Sequence, residues 1–325
     1  MSSPKLPFTQ KNPLQQVSSV FVTGAGGFLG SRTLLALHSL GSHAATGMVR
    51  SLAKAQGFLP GAVLISADMI SPSSLSRLEV PCDVLVHLAA TSHAFCRSHP
   101  TESAQINIAG TEHLITRLLT GGLKHVVFVS TIHVYGTPEQ PLITESSPTK
   151  PASEYAAQRL ATEELLAKLC EKAGIGYTIL RLSNAVGWVP NPEGESWNLI
   201  GNFICREAAR SGHVRLNGDG EQERNFIGAS DVVKAILHCI DTQPRGVFNL
   251  GSPHYLRVAD LVRLAQESFM TRTGRAFTVE FGAQHEPPLP FPVTYDTAKL
   301  RATGINLNDS LSPELDFTFT KLCGP

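Results

Sequence analysis

The chain has 325 residues, 42% hydrophobic and 17% charged, and its 27 Lys and Arg balance 27 Asp and Glu. That size and composition fit one large α/β domain or two smaller ones with a sizeable core. The zero net charge gives no basis for a nucleic-acid or polyanionic-membrane partner, and no apolar run is long enough to span a bilayer.

Met1 to Gln16 is polar, contains proline and lacks the apolar core of a signal peptide, so residues 1–16 read as a loose arm. From Val17 an apolar, β-branched run enters Thr23-Gly24-Ala25-Gly26-Gly27-Phe28-Leu29-Gly30, and Ser31 to Leu37 then reads as a helix. Strand, tight turn and helix N-terminus in that order make an anion site. Free backbone N–H groups and the positive end of the helix dipole face whatever lies over the turn. The spacing is Gly24-x-x-Gly27-x-x-Gly30 with Gly26 as an extra, because Leu29 stands where the last glycine of Gly-x-Gly-x-x-Gly would be. An ordinary glycine-rich loop is the alternative, and the position between strand and helix argues against it.

Further strands are expected at Ala44–Val49, Val63–Ile65, Val84–Leu88, Val126–Val129 and Tyr177–Leu180, with helices at about Thr101–Leu119 and Ser153–Lys172. Short apolar strands alternating with helices predict a Rossmann-type, doubly wound parallel sheet with ligands at the carboxyl ends of its strands. Beyond Asn184 the pattern loosens. Gly187–Gly194 reads as loop, Leu199–Ser211 as helix, Arg215–Gly220 as turn, Asp231–Ile240 as helix, Val247–Leu250 as strand and Val258–Phe269 as helix. The expected division is a dinucleotide-binding domain at 17–183 and a smaller, mainly substrate-binding lobe at 184–325, with 231–250 returning to the main sheet. The cysteines (Cys82, Cys96, Cys170, Cys205, Cys239 and Cys323) include no Cys-x-x-Cys pair and read as reduced thiols. The cytoplasm is the default location, and no metal site is expected.

In order and spacing, several segments together resemble the extended short-chain dehydrogenase/reductases, the group of NAD-dependent epimerases and dehydratases. They are the glycine segment, Asp68-Met69, His87-Leu88-Ala89-Ala90, Asn107 with Gly110-Thr111, Ser130-Thr131-Ile132-His133-Val134-Tyr135-Gly136, Tyr155, Leu180 to Gly187, Gly218 to Ile227 and Phe248 to Gly251. The resemblance spans about Val17 to Leu300.

For the cofactor, Gly24, Gly27, Phe28, Leu29 and Gly30 supply the pyrophosphate turn. Where an acidic residue at the end of the second strand would favour NAD, Arg50-Ser51 follows Val49. A guanidinium beside a hydroxyl suits a 2′-phosphate, so NADP is favoured over NAD; stacking on adenine or plain solvation of Arg50 are the alternatives. By resemblance, Asp68 and Met69 meet the adenine, and Leu88, Ala89 and Ala90 line the way to the nicotinamide.

The family pairs a catalytic Tyr with a Lys four residues on, one helical turn away. Here Tyr155 is followed by Arg159, the main departure from the pattern. A guanidinium keeps the charge that favours tyrosinate and can still donate to a ribose, but it closes any relay through an amine. Thr131 matches the family's hydroxyl residue before Val-Tyr-Gly, with Ser130 beside it. Ile132 and His133 follow where dehydratases carry acidic residues, which counts against a dehydratase. Arg224 and Asn184 match family residues at a nucleotide diphosphate, whereas His285-Glu286-Pro287-Pro288 lacks the family's second phosphate-binding Arg.

These residues imply an NAD(P)-dependent oxidoreductase or epimerase acting on an alcohol or ketone carbon, with a sugar nucleotide as the expected small-molecule substrate. Tyr155 would be the acid/base, Thr131 the hydroxyl partner and Arg159 the ribose anchor. An NADPH-dependent ketone reductase of a non-nucleotide metabolite and a non-catalytic dinucleotide sensor are the alternatives. The Thr101–Leu119 and Ser153–Lys172 helices correspond to a dimer bundle in relatives, and Leu165, Leu166 and Leu169 add apolar area, so a homodimer is expected.

Overall fold

The computed structural model describes residues 18–284 and 291–324. The Met1–Gln16 arm and the His285–Pro288 segment lie outside the described residues. Seven strands form the central sheet: β1 (Ser19–Thr23), β2 (Ala44–Val49), β3 (Val63–Ser66), β4 (Val84–His87), β5 (His125–Thr131), β6 (Gly176–Leu182) and β7 (Gly246–Leu250). They lie in the order β7-β6-β5-β4-β1-β2-β3, and every neighbouring pair is parallel. The expected Rossmann-type sheet is present, and the chain returns to it at β7.

Strand periodicity explains why both faces are covered. Val20, Val22, Val84, Val86, Val127 and Val129 pack into one core with the Phe28–Leu40 helix and the Ala229–Thr242 helix. The alternate residues Phe21, Leu85, Val126 and Phe128 face a second core with Leu114, Leu118, Leu166 and Cys170. Side chains one apart in a strand point to opposite faces, so a strand buried on both sides must be apolar throughout.

The expected helix at Thr101–Leu119 is interrupted. It runs as Pro100–Ala104, a π-helical turn at Gln105–Ala109, and Gly110–Leu119. Asn107 sits in the wide turn, where its carbonyl accepts from Thr111 Oγ1 at 2.6 Å and Thr162 Oγ1 at 3.2 Å. Side-chain hydroxyls thus take an acceptor that a regular helix gives to a backbone N–H. Leu166 is wholly buried in the chain's own core and Leu169 packs against it, so these leucines cover the sheet.

Arg215–Gly220 is not a turn. His213–Gly218 is a strand, paired in parallel with Thr278–Gln284. Val214 and Leu216 are buried while His213, Arg215 and Asn217 are exposed, the period-two signature that the following Asp219-Gly220 masked. A second small sheet sets Glu223–Gly228 between Asn184–Val186, in parallel, and Tyr255–Arg257, antiparallel.

The Leu311–Cys323 helix, which sequence periodicity did not single out, ties the second half of the chain to the Phe28–Leu40 helix. Its Glu314 is fully buried and takes a forked pair of hydrogen bonds from Arg32 on the Phe28–Leu40 helix, with Nη2 to Oε2 at 3.0 Å. Ser230 N donates to the same carboxylate at 3.0 Å. Removing one partner strands a buried charge. Glu314→Leu is therefore expected to cost about 3–5 kcal/mol in urea unfolding, and Arg32→Met with Glu314→Leu to recover most of that loss.

Candidate active site

The glycine turn is built around two close approaches. Gly24 has φ +65°, and a Cβ there would stand 2.8 Å from the backbone of Leu88 and Ala89. A Cβ on Gly30 would stand 2.1 Å from the Gly24 carbonyl oxygen. Gly26 meets nothing nearer than 3.8 Å and is not compelled in this way. The Phe28–Leu40 helix starts at Gly27 with no side-chain cap among the described residues, so its first N–H groups face the turn.

A directed chain of hydrogen bonds holds the facing wall. Thr111 Oγ1 donates to the Asn107 carbonyl, so it accepts from His87 Nε2–H at 2.9 Å. His87 Nδ1 is then the acceptor for the Thr23 hydroxyl at 2.7 Å, and Thr23 Oγ1 accepts from the N–H groups of Leu88 and Ala89, both at 3.2 Å. His87 is fully buried, and that burial, with a smaller push from Arg159, lowers its pKa to about 3. It is a neutral bridge between the end of β1 and the π turn, and the sequence reading quoted it without giving it this role.

Arg50 is exposed at the end of β2. Ser51 Oγ accepts from Lys54 N as the cap of the Leu52–Gln56 helix, which leaves its hydroxyl hydrogen to donate. Asp68 Oδ1 accepts from Ile70 N at 3.2 Å, and Met69 is buried beneath Gly110, whose Cβ position lies 2.4 Å from the Met69 carbonyl. Leu88 and Ala89 are half-buried and Ala90 exposed.

At the end of β5 the two hydroxyls diverge. Ser130 donates to the buried Glu163 carboxylate, which pairs with Arg181 at 2.8 Å. Thr131 ends the strand, and its Oγ1 accepts from His133 N at 3.3 Å. Tyr155 lies half-buried in the first turn of the Glu154–Ala173 helix, which Ser153 caps. Its ring is 6.0 Å from that of His93 at a tilt of 54°, and no described residue hydrogen-bonds its hydroxyl. Arg159 lies one turn on but is buried: its guanidinium lies 4.4 Å over the Phe128 ring and Nη2 donates to the Val129 carbonyl. Its Nε is buried with no partner among the described residues. Burial lowers the Arg159 pKa, while Tyr155 and Glu163 act to raise it. A guanidinium nevertheless keeps its proton.

His133 is exposed at the rim, yet surrounding protein lowers its pKa, with Arg224 and His93 pushing the same way. Arg224 is half-buried, and its Nη2 donates to Gln222 Oε1 at 3.4 Å. Asn184 Nδ2 donates to the Asn225 carbonyl at 2.8 Å, tying the two strands that carry the expected diphosphate residues. The sequence reading missed His93; it follows the helix cap Ser92, and nothing in its spacing marks it.

Two glycines whose Cβ positions are taken by backbone, an uncapped helix start and an unpartnered buried Nε fit a dinucleotide. The fold and this turn define a Rossmann-type, dinucleotide-binding enzyme. Residues 20–251 match the model of the NAD dependent epimerase/dehydratase family, and the chain belongs to that family. It is 30% identical to a UDP-glucose 4-epimerase of Halalkalibacterium halodurans over 267 residues, 81% of this chain and 77% of the relative. A mouse dTDP-D-glucose 4,6-dehydratase is 30% identical over 185 residues, 56% of this chain and 50% of the relative. The fold is shared with the Thermus thermophilus UDP-glucose 4-epimerase in complex with NAD, with TM-score 0.79, 23% identity, and coverage of 94% of this chain and 99% of that one. It is also shared with RMD from Pseudomonas aeruginosa complexed with NADPH, with TM-score 0.74, 23% identity, and coverage of 94% and 98%.

The buried histidines give a pH prediction. His87 is held to about 3 and His125, by burial and then Arg245, to about 4. Unfolding lets each take up a proton near the ordinary imidazole value of about 6.5. Their contribution to stability is present above that value and is lost as pH falls toward the folded pKa values. Urea unfolding at steps between about pH 7 and 5 should show stability falling with pH, and His87→Gln should flatten that fall.

Proposed function

We propose that the protein is an NAD(P)-dependent epimerase acting at an alcohol or ketone carbon of a sugar nucleotide. The observation that carries this reading is Tyr155, with no described partner for its hydroxyl, one helical turn from a buried cation and close to the carboxyl end of the sheet. Family membership and the UDP-glucose 4-epimerase relative support it.

Gly24, Gly27, Phe28, Leu29 and Gly30 would hold the pyrophosphate, Asp68 and Met69 the adenosine end, and Leu88, Ala89 and Ala90 the passage to the nicotinamide. A bound nicotinamide supplies the acceptor and donor of hydride at the sugar carbon. Tyr155 Oη takes the proton of the substrate hydroxyl in the oxidising direction and returns it in the reducing one. The Thr131 hydroxyl donates to the same substrate oxygen and fixes it. The Arg159 charge favours the phenolate, and the guanidinium N–H groups not given to the Val129 carbonyl are the donors for a ribose hydroxyl. Arg224 and Asn184 hold the diphosphate.

An NADPH-dependent ketone reductase is the second reading, favoured by the exposed Arg50 and the Ser51 hydroxyl at the end of β2. The same two residues support a preference for NADP over NAD. We further propose a homodimer through the Gly110–Leu119 and Glu154–Ala173 helices; a monomer by light scattering at micromolar concentration would refute it. The six free cysteines, five of them buried, support the cytoplasm as location.

Native mass spectrometry of the purified protein, with UDP-glucose conversion assayed with and without added NAD or NADP, separates the readings. Retained cofactor with UDP-galactose formed is the expected result. Net nicotinamide turnover indicates the reductase. Tyr155→Phe should abolish turnover while leaving cofactor affinity nearly intact. Arg159→Ala should weaken cofactor binding by about 1.5–3 kcal/mol for each charged hydrogen bond lost, and lower turnover with it. Arg159→Lys should be tolerated or improve activity. If Arg159→Ala changes neither, the Tyr/Arg pairing has no role.

A further inference from the structure

Resting on Tyr155 as the acid/base, a geometric requirement follows. The substrate oxygen must meet the phenol while its carbon meets the nicotinamide, and a misplacement of about 1 Å costs about a hundredfold in rate. Leu88, Ala89 and Ala90 leave the end of β4, whereas Tyr155 rides on the Glu154–Ala173 helix. The two belong to different elements, so their separation is set by what joins them.

Two buried amides join them. Asn107 Oδ1, in the π turn, accepts at 3.0 Å from the N–H of Thr91, the residue after Ala90, and Asn107 Nδ2 donates to Gln158 Oε1 at 2.8 Å. Gln158 lies three residues beyond Tyr155, a neighbouring position on the helix surface. Its Nε2 shares two N–H groups among the Pro100 carbonyl at 3.1 Å, Ser103 Oγ at 2.9 Å and Glu154 Oε1 at 2.8 Å. The first turn of the Tyr155 helix is thus fastened to the Pro100–Ala104 helix as well as to the π turn.

The orientation of both amides is forced. A backbone N–H only donates, so Asn107 turns Oδ1 to Thr91 and Nδ2 to Gln158. A backbone carbonyl only accepts, so Gln158 turns Nε2 to Pro100 and Oε1 to Asn107. The two assignments agree at the bond where they meet. Asn107 Nδ2 also donates to Thr91 Oγ1 at 2.8 Å, and every polar atom of both amides has a partner.

We propose that Gln158 is a positioning residue that acts through Tyr155, holding the phenol at a fixed separation from the residues that follow β4. A leucine at this position fills much the same space but makes none of these hydrogen bonds. The Asn107 amide and the Pro100–Ala104 helix then lose their tie to the Tyr155 turn, and the phenol is free to shift relative to Ala90 and Thr91.

The test compares Gln158→Leu with the wild-type protein. For UDP-glucose conversion, kcat per cofactor-loaded protomer is expected to fall at least about tenfold, while KM and cofactor retention in native mass spectrometry stay within about twofold. A role in stability alone lowers the urea midpoint and leaves that kcat unchanged, which overturns the proposal; so does a loss carried by KM or by cofactor retention. The substrate-free measurement is amide hydrogen exchange. The N–H of Thr91 and that of Ala157, which donates to the Ser153 carbonyl in the first turn, are expected to exchange faster together in Gln158→Leu, and an unchanged rate at either overturns the proposal. Should Gln158→Leu not fold, Gln158→Glu gives the same comparison: it keeps the oxygen that Asn107 uses and turns an acceptor toward the Pro100 carbonyl and Glu154, and the same fall in kcat is expected. No UDP-glucose conversion by the wild type, or full turnover in Tyr155→Phe, would instead refute Tyr155 as the acid/base of an epimerase, and hydrogen exchange then decides whether Gln158 joins its helix to the end of β4.

Discussion

The carbonyl oxygen of Gly24 lies where the Cβ of any other residue at position 30 would be, and Gly24 itself is pressed on the backbone of Leu88 and Ala89. This double approach brings the first turn of the Phe28–Leu40 helix, the end of β1 and the end of β4 into one small volume. The uncapped first N–H groups of that helix and the carboxyl ends of β1 and β4 meet because of it. Thr23 completes the arrangement by accepting from the N–H groups of Leu88 and Ala89, which a parallel strand leaves open at its carboxyl end, while its own hydroxyl donates to the neutral His87. The hydrogen bonds run on through Thr111 to the π turn at Asn107, so the wide turn is held by the same contacts that hold the end of β4.

Arg159 shows how packing can hold a buried cation. Its guanidinium has gone inward, over Phe128 and onto the Val129 carbonyl, where an aromatic face and a backbone acceptor offset part of the desolvation. The positive charge stays near Tyr155 although the group is less able to exchange protons. Close by, Arg181 pairs with Glu163, and Tyr135 links Arg181 to Asn249 on β7, with hydrogen bonds of 3.0 and 2.6 Å. That buried network fixes the Glu154–Ala173 helix to β5, β6 and β7, and with it the position of Tyr155.

The second half of the chain is joined to the first at several points near the glycine turn. Glu314 grips Arg32 on the helix that starts at the glycine turn. Asn191 Nδ2 reaches the Gly26 carbonyl at 3.4 Å, and Trp197 Nε1 donates to the Asn191 carbonyl at 3.1 Å. The parallel pairing of Asn184–Val186 with Glu223–Gly228 sets Asn184 and Arg224 on adjoining strands, and the Arg224 charge acts on His133. Loop, strand and helix from the second half of the chain thus close around a turn laid down in its first thirty residues.

Local pattern determined the parallel sheet, the glycine turn and the Tyr-x-x-x-Arg helix face, because each depends on contacts within a few residues: β-branched runs, a glycine-permitted φ, a spacing of four on a helix. Tertiary structure alone decided the rest. Whether Arg159 points outward or inward depends on Phe128 and Val129 in β5, about thirty positions earlier. That Ser130 is spoken for depends on Glu163, and that His93 faces Tyr155 depends on how two helices pack. The His213–Gly218 strand exists because Thr278–Gln284 comes to lie beside it, and the Leu311–Cys323 helix is anchored by an arginine 282 positions away. Local sequence carries backbone preference; which side chain meets which across the fold is decided only when the chain closes on itself.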